Sequence, residues 1–327
     1  MDAAERALLD ASVQTAVADA VARDAPVDPV LARLGWPAML TDVADVAIAT
    51  VFGALGRTGG RSGALDDLCA HALGTAPRPD LAVVLPAFGG WAPPGTVAAG
   101  RVRVDGLGTA RAATATDLLV ATAAGTVVVP VRAGASTVTP IGGVDPAGGL
   151  QAVRAEWPAV APGLAPTAAP TAEAGRAWVA AVALGQRAVG HEIAGAARTV
   201  IEQARVHART RIQFGRPIAA FQAVRHHLAD AFVAVEGLEA ALDAAAVAGT
   251  PATAALAKAT AGRAARTVVD HCRQVLGGIG FTTDHPFHRH WARLLVLEGL
   301  LGTPEALLTD LGRGWIAAGG VPTLVDL

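Results

Sequence analysis

The stretch RTRIQFGRPIAAFQAVRHHLAD, Arg209 to Asp230, gathers arginine, phenylalanine, glutamine and paired histidines in a chain dominated by alanine, valine, glycine and leucine. Phe214, Gly215, Arg216, Phe221 and Gln222 fall in and just after a tight turn. Planar guanidinium and ring groups beside a glycine suit an anionic, planar ligand. The competing reading is ordinary: Arg205, Arg209 and Arg211 end a long helix, where cations offset the negative end of its dipole. A second cluster is QVLGGIGF, Gln274 to Phe281. Its Gly-Gly-x-Gly turn lets backbone approach a phosphate closely, yet the same glycines also suit a plain helix end. It is not a dinucleotide fingerprint, which follows a strand and opens a helix, so a Rossmann site is rejected.

Other chemistries find less support. His285, His288 and His290 cluster, His226 adjoins His227 and His271 adjoins Cys272, but no acidic or cysteine partner completes a metal-ligand spacing such as HExxH. No metal site is expected, and GxSxG is absent. With 26 basic and 28 acidic residues, and 4% aromatic residues, neither nucleic acid nor an anionic membrane is an expected partner. Lys258 is the single lysine and tyrosine is absent. Cys69 and Cys272 cannot form a disulfide framework, and their scarcity suits a cytoplasmic setting. No secretory signal and no membrane span is read.

The elements that must position these residues follow from periodicity and breakers. With 327 residues, 52% of them hydrophobic, the chain has room for two or three domains. Residues 1–76 read as a small helical domain, with Ala7, Leu8, Val13 and Val17 on one face and Thr41 as an N-cap. Residues 77–157 switch to short runs, LAVVLP, RVRVDG, DLLVAT and TVVVPV, each closed by glycine, proline or aspartate, which predicts a compact antiparallel β domain. A Pro/Ala-rich linker, 158–172, is expected to lie extended on the surface. From 173 to 327 helical patterns return. A long helix from Glu173 to Arg209 is eased at Gly185, Gly190 and Gly195. A second buries Phe221, Val224, Leu228, Phe232, Val235, Leu238 and Leu242. A third starts at Thr250-Pro251 and ends at the glycine turn, and a last helical segment follows it. The fold class is α+β, closing in a four-helix bundle.

Together these motifs resemble the acyl-CoA dehydrogenase family. RTRIQFGRPIAAFQ is similar to its Arg-x-x-Phe-Gly-x-x-Ile/Leu-x-x-x-Gln segment, and QVLGGIGFTTDHP, 52 residues after Gln222, to its Gln-x-x-Gly-Gly-x-Gly-Phe/Tyr segment. The order helical, β, helical bundle matches that family as well. The resemblance implies that FAD is the cofactor and that both motifs reach across a subunit interface to the adenine and pyrophosphate arm of a neighbour's FAD. Arg211 would meet the pyrophosphate, and Phe214 would pack on the adenine side. Gln222, Gln274, Gly277 and Gly278 would line the same arm, and Thr303, in LGTPE, would lie close to the flavin.

The family reaction takes a proton from the α carbon of an acyl-CoA while hydride leaves the β carbon for the flavin, so a carboxylate base is required. Here the usual glutamate position falls at Leu301, and the alternative position, on the first long bundle helix, at Gly185. Neither can accept a proton. Glu298 would restore a Glu-Gly pair only by a three-residue shift that forfeits the Gly-Thr match, and Glu192 is weaker still. The β-domain segments that meet flavin ring and substrate in catalytic members are replaced by VVLPAFGGWAPPG and GLGTARAATATDLLVAT, and the N-terminal domain is short. The expectation is therefore a non-catalytic subunit, without catalytic residues of its own, of an α2β2 acyl-CoA dehydrogenase of the type actinobacteria use on steroid-derived thioesters. Its partners would be a longer catalytic subunit, the acyl-CoA at that subunit's site, and electron-transfer flavoprotein as acceptor. The alternatives are a self-sufficient homomeric dehydrogenase with Glu298 as base, and a flavin-free helical scaffold.

Overall fold

The computed structural model describes residues 2–123, 125–131, 136–158, 165–167 and 171–321. Five helices open the chain: α1 (Ala3–Ala22), α2 (Asp28–Arg33), α3 (Trp36–Asp42), α4 (Ala44–Thr58) and α5 (Ala64–Ala72). Asp2 and Glu5 form a reciprocal capping box that starts α1. Val13 and Val17 are fully buried, but Leu8 is 71% exposed, one turn too early to reach the core. Thr41 caps nothing. It lies inside α3, and α4 starts after a kink at Val43, whose φ of −146° breaks the helical path.

The sheet contains β1 (Leu81–Val83), β2 (Gly95–Ala98), β3 (Arg101–Gly108), β4 (Asp117–Thr122), β5 (Gly125–Pro130), β6 (Thr137–Pro140), β7 (Gln151–Pro158) and β8 (Ala165–Thr167). The order is β6-β7-β3-β2-β4-β5-β8, with β1 paired to β4. It is mixed rather than antiparallel: β1 runs parallel to β4, and β2 touches β4 in the parallel sense at Gly95 and Thr122. The chain between β1 and β4 is long enough for a crossover, which short antiparallel hairpins do not need. A satellite core of Val84, Val120, Val153 and Trp157 fills one side of the sheet. Within the Pro/Ala segment, β8 pairs antiparallel with β5, while 159–164 and 168–170 lie outside the described residues.

Helix α6 (Thr171–Thr210) then runs 40 residues without interruption, roughly 60 Å at 1.5 Å per residue. Gly185, Gly190 and Gly195 do not ease it; each admits a neighbour. A Cβ at Gly195 would collide with the carbonyl of Gly53 on α4, and a Cβ at Gly190 would stand 2.7 Å from Leu242. Gly56 meets the Glu192 carbonyl in the same way, so α4 and α6 touch backbone to backbone. A short hairpin, β9 (Ile212–Gln213) and β10 (Arg216–Pro217), leads to α7 (Gln222–Ala248), α8 (Pro251–Leu276), α9 (Phe287–Gly299) and α10 (Pro304–Ala317). The Thr250 hydroxyl accepts from Thr253 N–H at 3.2 Å and Pro251 opens α8. The last helical segment is two helices, split at Leu300–Thr303. On α7 only Val235, Leu238 and Leu242 of the expected face are fully buried. Phe221, Val224 and Leu228 are half-buried, and Phe232 is 48% exposed. The end of α7 that follows the hairpin is therefore only partly covered by the described residues.

Candidate functional site

Connectivity gathers one end of the bundle. Helices α6 and α8 end there, while α7 and α9 begin there. The rings of His207 and His285 pack edge to face at 6.5 Å, and His227 Nδ1 lies 2.7 Å from His271 Nδ1, tying α7 to α8. Both sequence motifs thus occupy a single surface.

The hairpin is a two-residue turn with Phe214 at φ 52° and Gly215 at φ 77°, the left-handed pair that matches strand twist. Glycine accepts this conformation freely; phenylalanine does not. The strained residue is also openly displayed, since Phe214 is 90% exposed. It packs edge to face on Phe221 at 5.9 Å, and the Arg216 guanidinium stacks 4.4 Å over the same ring. The Arg211 backbone is fixed, its N–H donating to His207 O at 2.8 Å and its carbonyl accepting from Ile218 N–H at 2.9 Å. Its side chain is exposed and has no ion-pair partner among the described residues. Gln222 is the exposed first residue of α7.

Across from the hairpin, Gln274 is exposed on the last turn of α8, and Gly277 caps that helix at φ 63° and ψ −141°. Gly278 has open space where a side chain would stand, so nothing in its own chain demands a glycine there. Phe281 is 73% exposed beneath the Arg273 guanidinium at 5.2 Å, a second arginine–aromatic stack that the motif spacing did not single out. Burial lowers the pKa values of His207 and His285, each also beside a further basic group. An unpaired guanidinium, two stacked aromatic pairs and an uncrowded glycine turn fit a diphosphate joined to a planar base.

Thr303 does not join this group. It is the N-cap of α10, its hydroxyl accepting from Ala306 N–H at 3.3 Å, beside a cleft of about 570 Å³ shared with Trp91 and Arg313. The adjacent Pro304 packs on Gly262 of α8, fourteen residues before Leu276 and hence about 21 Å along that helix from the glycine turn.

The two positions where a base was sought meet each other. A Cβ at Gly185 would stand 2.7 Å from Leu301 Cδ1, with Leu65 and Cys69 Sγ at 3.7 and 3.8 Å. Leu301 is 2% exposed at φ 59°, and its carbonyl accepts from Gln186 Nε2 at 3.0 Å. The space is filled with hydrocarbon. Nearby, the loop after β1 folds back: Phe88 lies against Gly299, Gly89 N–H donates to Gly299 O at 2.9 Å, and Trp178 Nε1 donates to Trp91 O at 2.9 Å. The remaining carboxylates are occupied. Glu298, 8% exposed, accepts from Arg266 Nε at 2.8 Å, and Glu192 from Arg293 Nε at 2.8 Å.

Lys258 is a functional-looking group that motif reading passed over. It is fully buried on α8, its Nζ donating to Glu298 O at 2.7 Å and Gly302 O at 3.0 Å. The Glu298 carbonyl is one that the end of α9 leaves without a helical partner, and Gly302 lies in the loop before α10. Burial pushes its pKa down to about 7, against the opposing pull of Glu298. Its only advance signal was being the sole lysine of an arginine-rich chain. Among the described residues no three His, Cys, Asp or Glu side chains gather as metal ligands, and no helix is long and apolar enough to cross a membrane.

Residues 173–316 match the family model described as acyl-CoA dehydrogenase, C-terminal domain. The bundle is similar to that domain of the acyl-CoA dehydrogenases. Over 117 residues the chain is 36% identical to the acyl-CoA dehydrogenase IpdE2 of Mycobacterium tuberculosis, a match covering 36% of this chain and 37% of that protein. It is 39% identical over 124 residues to the acyl-CoA dehydrogenase FadE27 of the same organism, covering 33% and 32%. The matched region thus spans about a third of these relatives' length. Solved structures extend the acyl-CoA dehydrogenase fold to the whole chain. The Tcur3481-Tcur3483 steroid ACAD G363A variant superposes with a TM-score of 0.77 at 22% identity, covering 96% of this chain and 98% of that one. The ChsE4-ChsE5 complex from Mycobacterium tuberculosis gives 0.72 at 23% identity, covering 99% of each.

Proposed function

We propose that this chain is the non-catalytic subunit of a heteromeric, FAD-dependent acyl-CoA dehydrogenase. It lends Arg211, Phe214, Gln222, Gln274, Gly277 and Gly278 to the adenine and pyrophosphate arm of a flavin whose ring sits in a longer partner chain. The observation that carries this reading is the contact of Gly185 with Leu301. Both base positions converge on one point, as they must if both face the same substrate carbon, and at that point there is no carboxylate. The intact, exposed end of the bundle supports the complementary half of the proposal. An arginine without an ion pair and a 90% exposed phenylalanine held at positive φ are costly features for a chain acting alone.

Bound flavin supplies the hydride acceptor, and electron-transfer flavoprotein is the proposed onward acceptor. This chain's own residues bind and orient the far arm of the cofactor: Arg211 neutralises diphosphate charge, and the glycine turn allows backbone to approach it. Thr303, some 20 Å along α8, is left out of that arm and belongs to this chain's own ring side. Substrate remains with the partner. A steroid-derived acyl-CoA is proposed because two solved structures of this fold are a steroid ACAD pair and a ChsE4-ChsE5 complex.

The homomeric alternative needs Glu298 as base, yet that carboxylate is bound by Arg266. Assay of the isolated chain with acyl-CoA thioesters and an artificial electron acceptor separates the two. We expect no turnover above buffer; turnover abolished by Glu298→Gln would establish the homomeric enzyme instead.

A further inference from the structure

Helices α1, α4, α6 and α7 surround a cleft of about 410 Å³, within the roughly 300–1,000 Å³ typical of small-molecule sites. It opens at His191, sixteen residues before His207 and so about 24 Å along α6 from the bundle end that carries both motifs. The floor is the seam where α4 and α6 touch through Gly53 and Gly195. Because those residues are so small, the space above them stays open.

The lining is polar and incompletely paired. Thr50 is 4% exposed and lines the cleft floor beside Gly53. The Arg57 guanidinium folds over Gly53, with Nη1 3.8 Å from where a Cβ would stand, and Arg6 reaches in from α1. Neither arginine meets a carboxylate among the described residues. Opposite them on α7, Asp243 also lacks a partner there, and Asp10 accepts only from Gln14 Nε2, at 2.7 Å. Glu239 differs, being engaged by Arg198. His191 is neutral at physiological pH, its pKa pushed down to about 4 by burial and by Arg187 and Arg6, so its ring offers one donor and one acceptor.

We infer that this cleft is a binding site for a small amphoteric molecule, its anionic group held by Arg6, Arg57 and the Thr50 hydroxyl and its protonated amine by Asp10 and Asp243. A bare anion would face the two carboxylates, and a bare amine the two guanidiniums. A ligand carrying both charges satisfies the two guanidiniums and the two carboxylates together.

The test is calorimetric titration of the full chain with phosphoethanolamine and glycylglycine as amphoteric probes, and with inorganic phosphate and ethylamine as single-charge probes. We expect saturable binding of at least one amphoteric probe, with the single-charge probes at least about tenfold weaker. Arg57→Gln and Asp243→Asn, both at exposed positions, should each weaken it by about tenfold or more, and Thr50→Val by about fivefold. Unchanged thermal unfolding of the two surface variants shows that the loss lies in the site. Absence of saturable binding to millimolar concentration, equal affinity for phosphate alone, or indifference to both surface substitutions would overturn the proposal.

Discussion

Phe214 shows how a single position divides stability from function. Its left-handed backbone costs a non-glycine residue about 1–2 kcal/mol, and its ring is 90% exposed, so its own chain gains little from it. Phe214→Gly should therefore raise the unfolding free energy of the isolated chain in denaturant titration, by up to about 1 kcal/mol once glycine's unfolded-state entropy is counted. The same change should loosen flavin in the assembled complex. Lys258 makes the opposite case, a residue whose worth lies within its own chain. Its folded pKa of about 7 lies below the ordinary 10.5, so between those values the unfolded chain binds more protons and stability rises with pH. The slope contributed is at most about 1.4 kcal/mol per pH unit. Lys258→Met should be less stable, yet flatter than wild type in unfolding free energy across pH 7 to 10. Both residues were visible in the sequence, but only Phe214 sat in a motif. The clamp by Lys258 depends on carbonyls at Glu298 and Gly302, about forty residues away, and no local pattern records that pairing.

Among the elements, the seam between α4 and α6 decides the architecture. Gly53 and Gly56 face Glu192 and Gly195 so closely that any Cβ at Gly56 or Gly195 meets backbone, which cannot move aside like a side chain. Gly195→Val should cost more than about 3 kcal/mol, or prevent soluble expression, while the same change at Gly175, where no neighbour stands, should be far milder. Helical periodicity made the long α6 legible, but read its glycines as weak points, because propensity describes an isolated helix and not what packs on it. The caps at Thr250 and Gly277 were legible because their signals are local. The parallel pairing of β1 with β4 was not, since register across a crossover leaves no mark in either strand. Nor was the exposed start of α7 foreseen. Phe221, Val224, Leu228 and Phe232 follow a core pattern, and the pattern cannot say whether the covering layer comes from the same chain.

At the scale of the molecule, that ambiguity is the functional argument. Six of the seven cofactor residues named from sequence share one end of the bundle, exposed and aromatic, while the interior point where catalysis would occur is packed with Leu301, Leu65 and Cys69. Under the proposed function, this exposed surface and this filled interior make the chain half of a site. The sequence conveyed this because motif residues and missing carboxylates are properties of single positions. The folding of Phe88 and Trp91 onto α9 and α6 needed the structure. The central claim is tested most directly by flavin stoichiometry. The chain should be purified alone, then co-expressed with a longer acyl-CoA dehydrogenase chain, and the flavin-to-protein ratio measured for wild type and Arg211→Ala. The account predicts a colourless isolated chain, a yellow complex, and flavin largely lost from the complex carrying the Arg211 variant. One flavin per chain in the isolated protein, or full flavin retention by the Arg211→Ala complex, would contradict it.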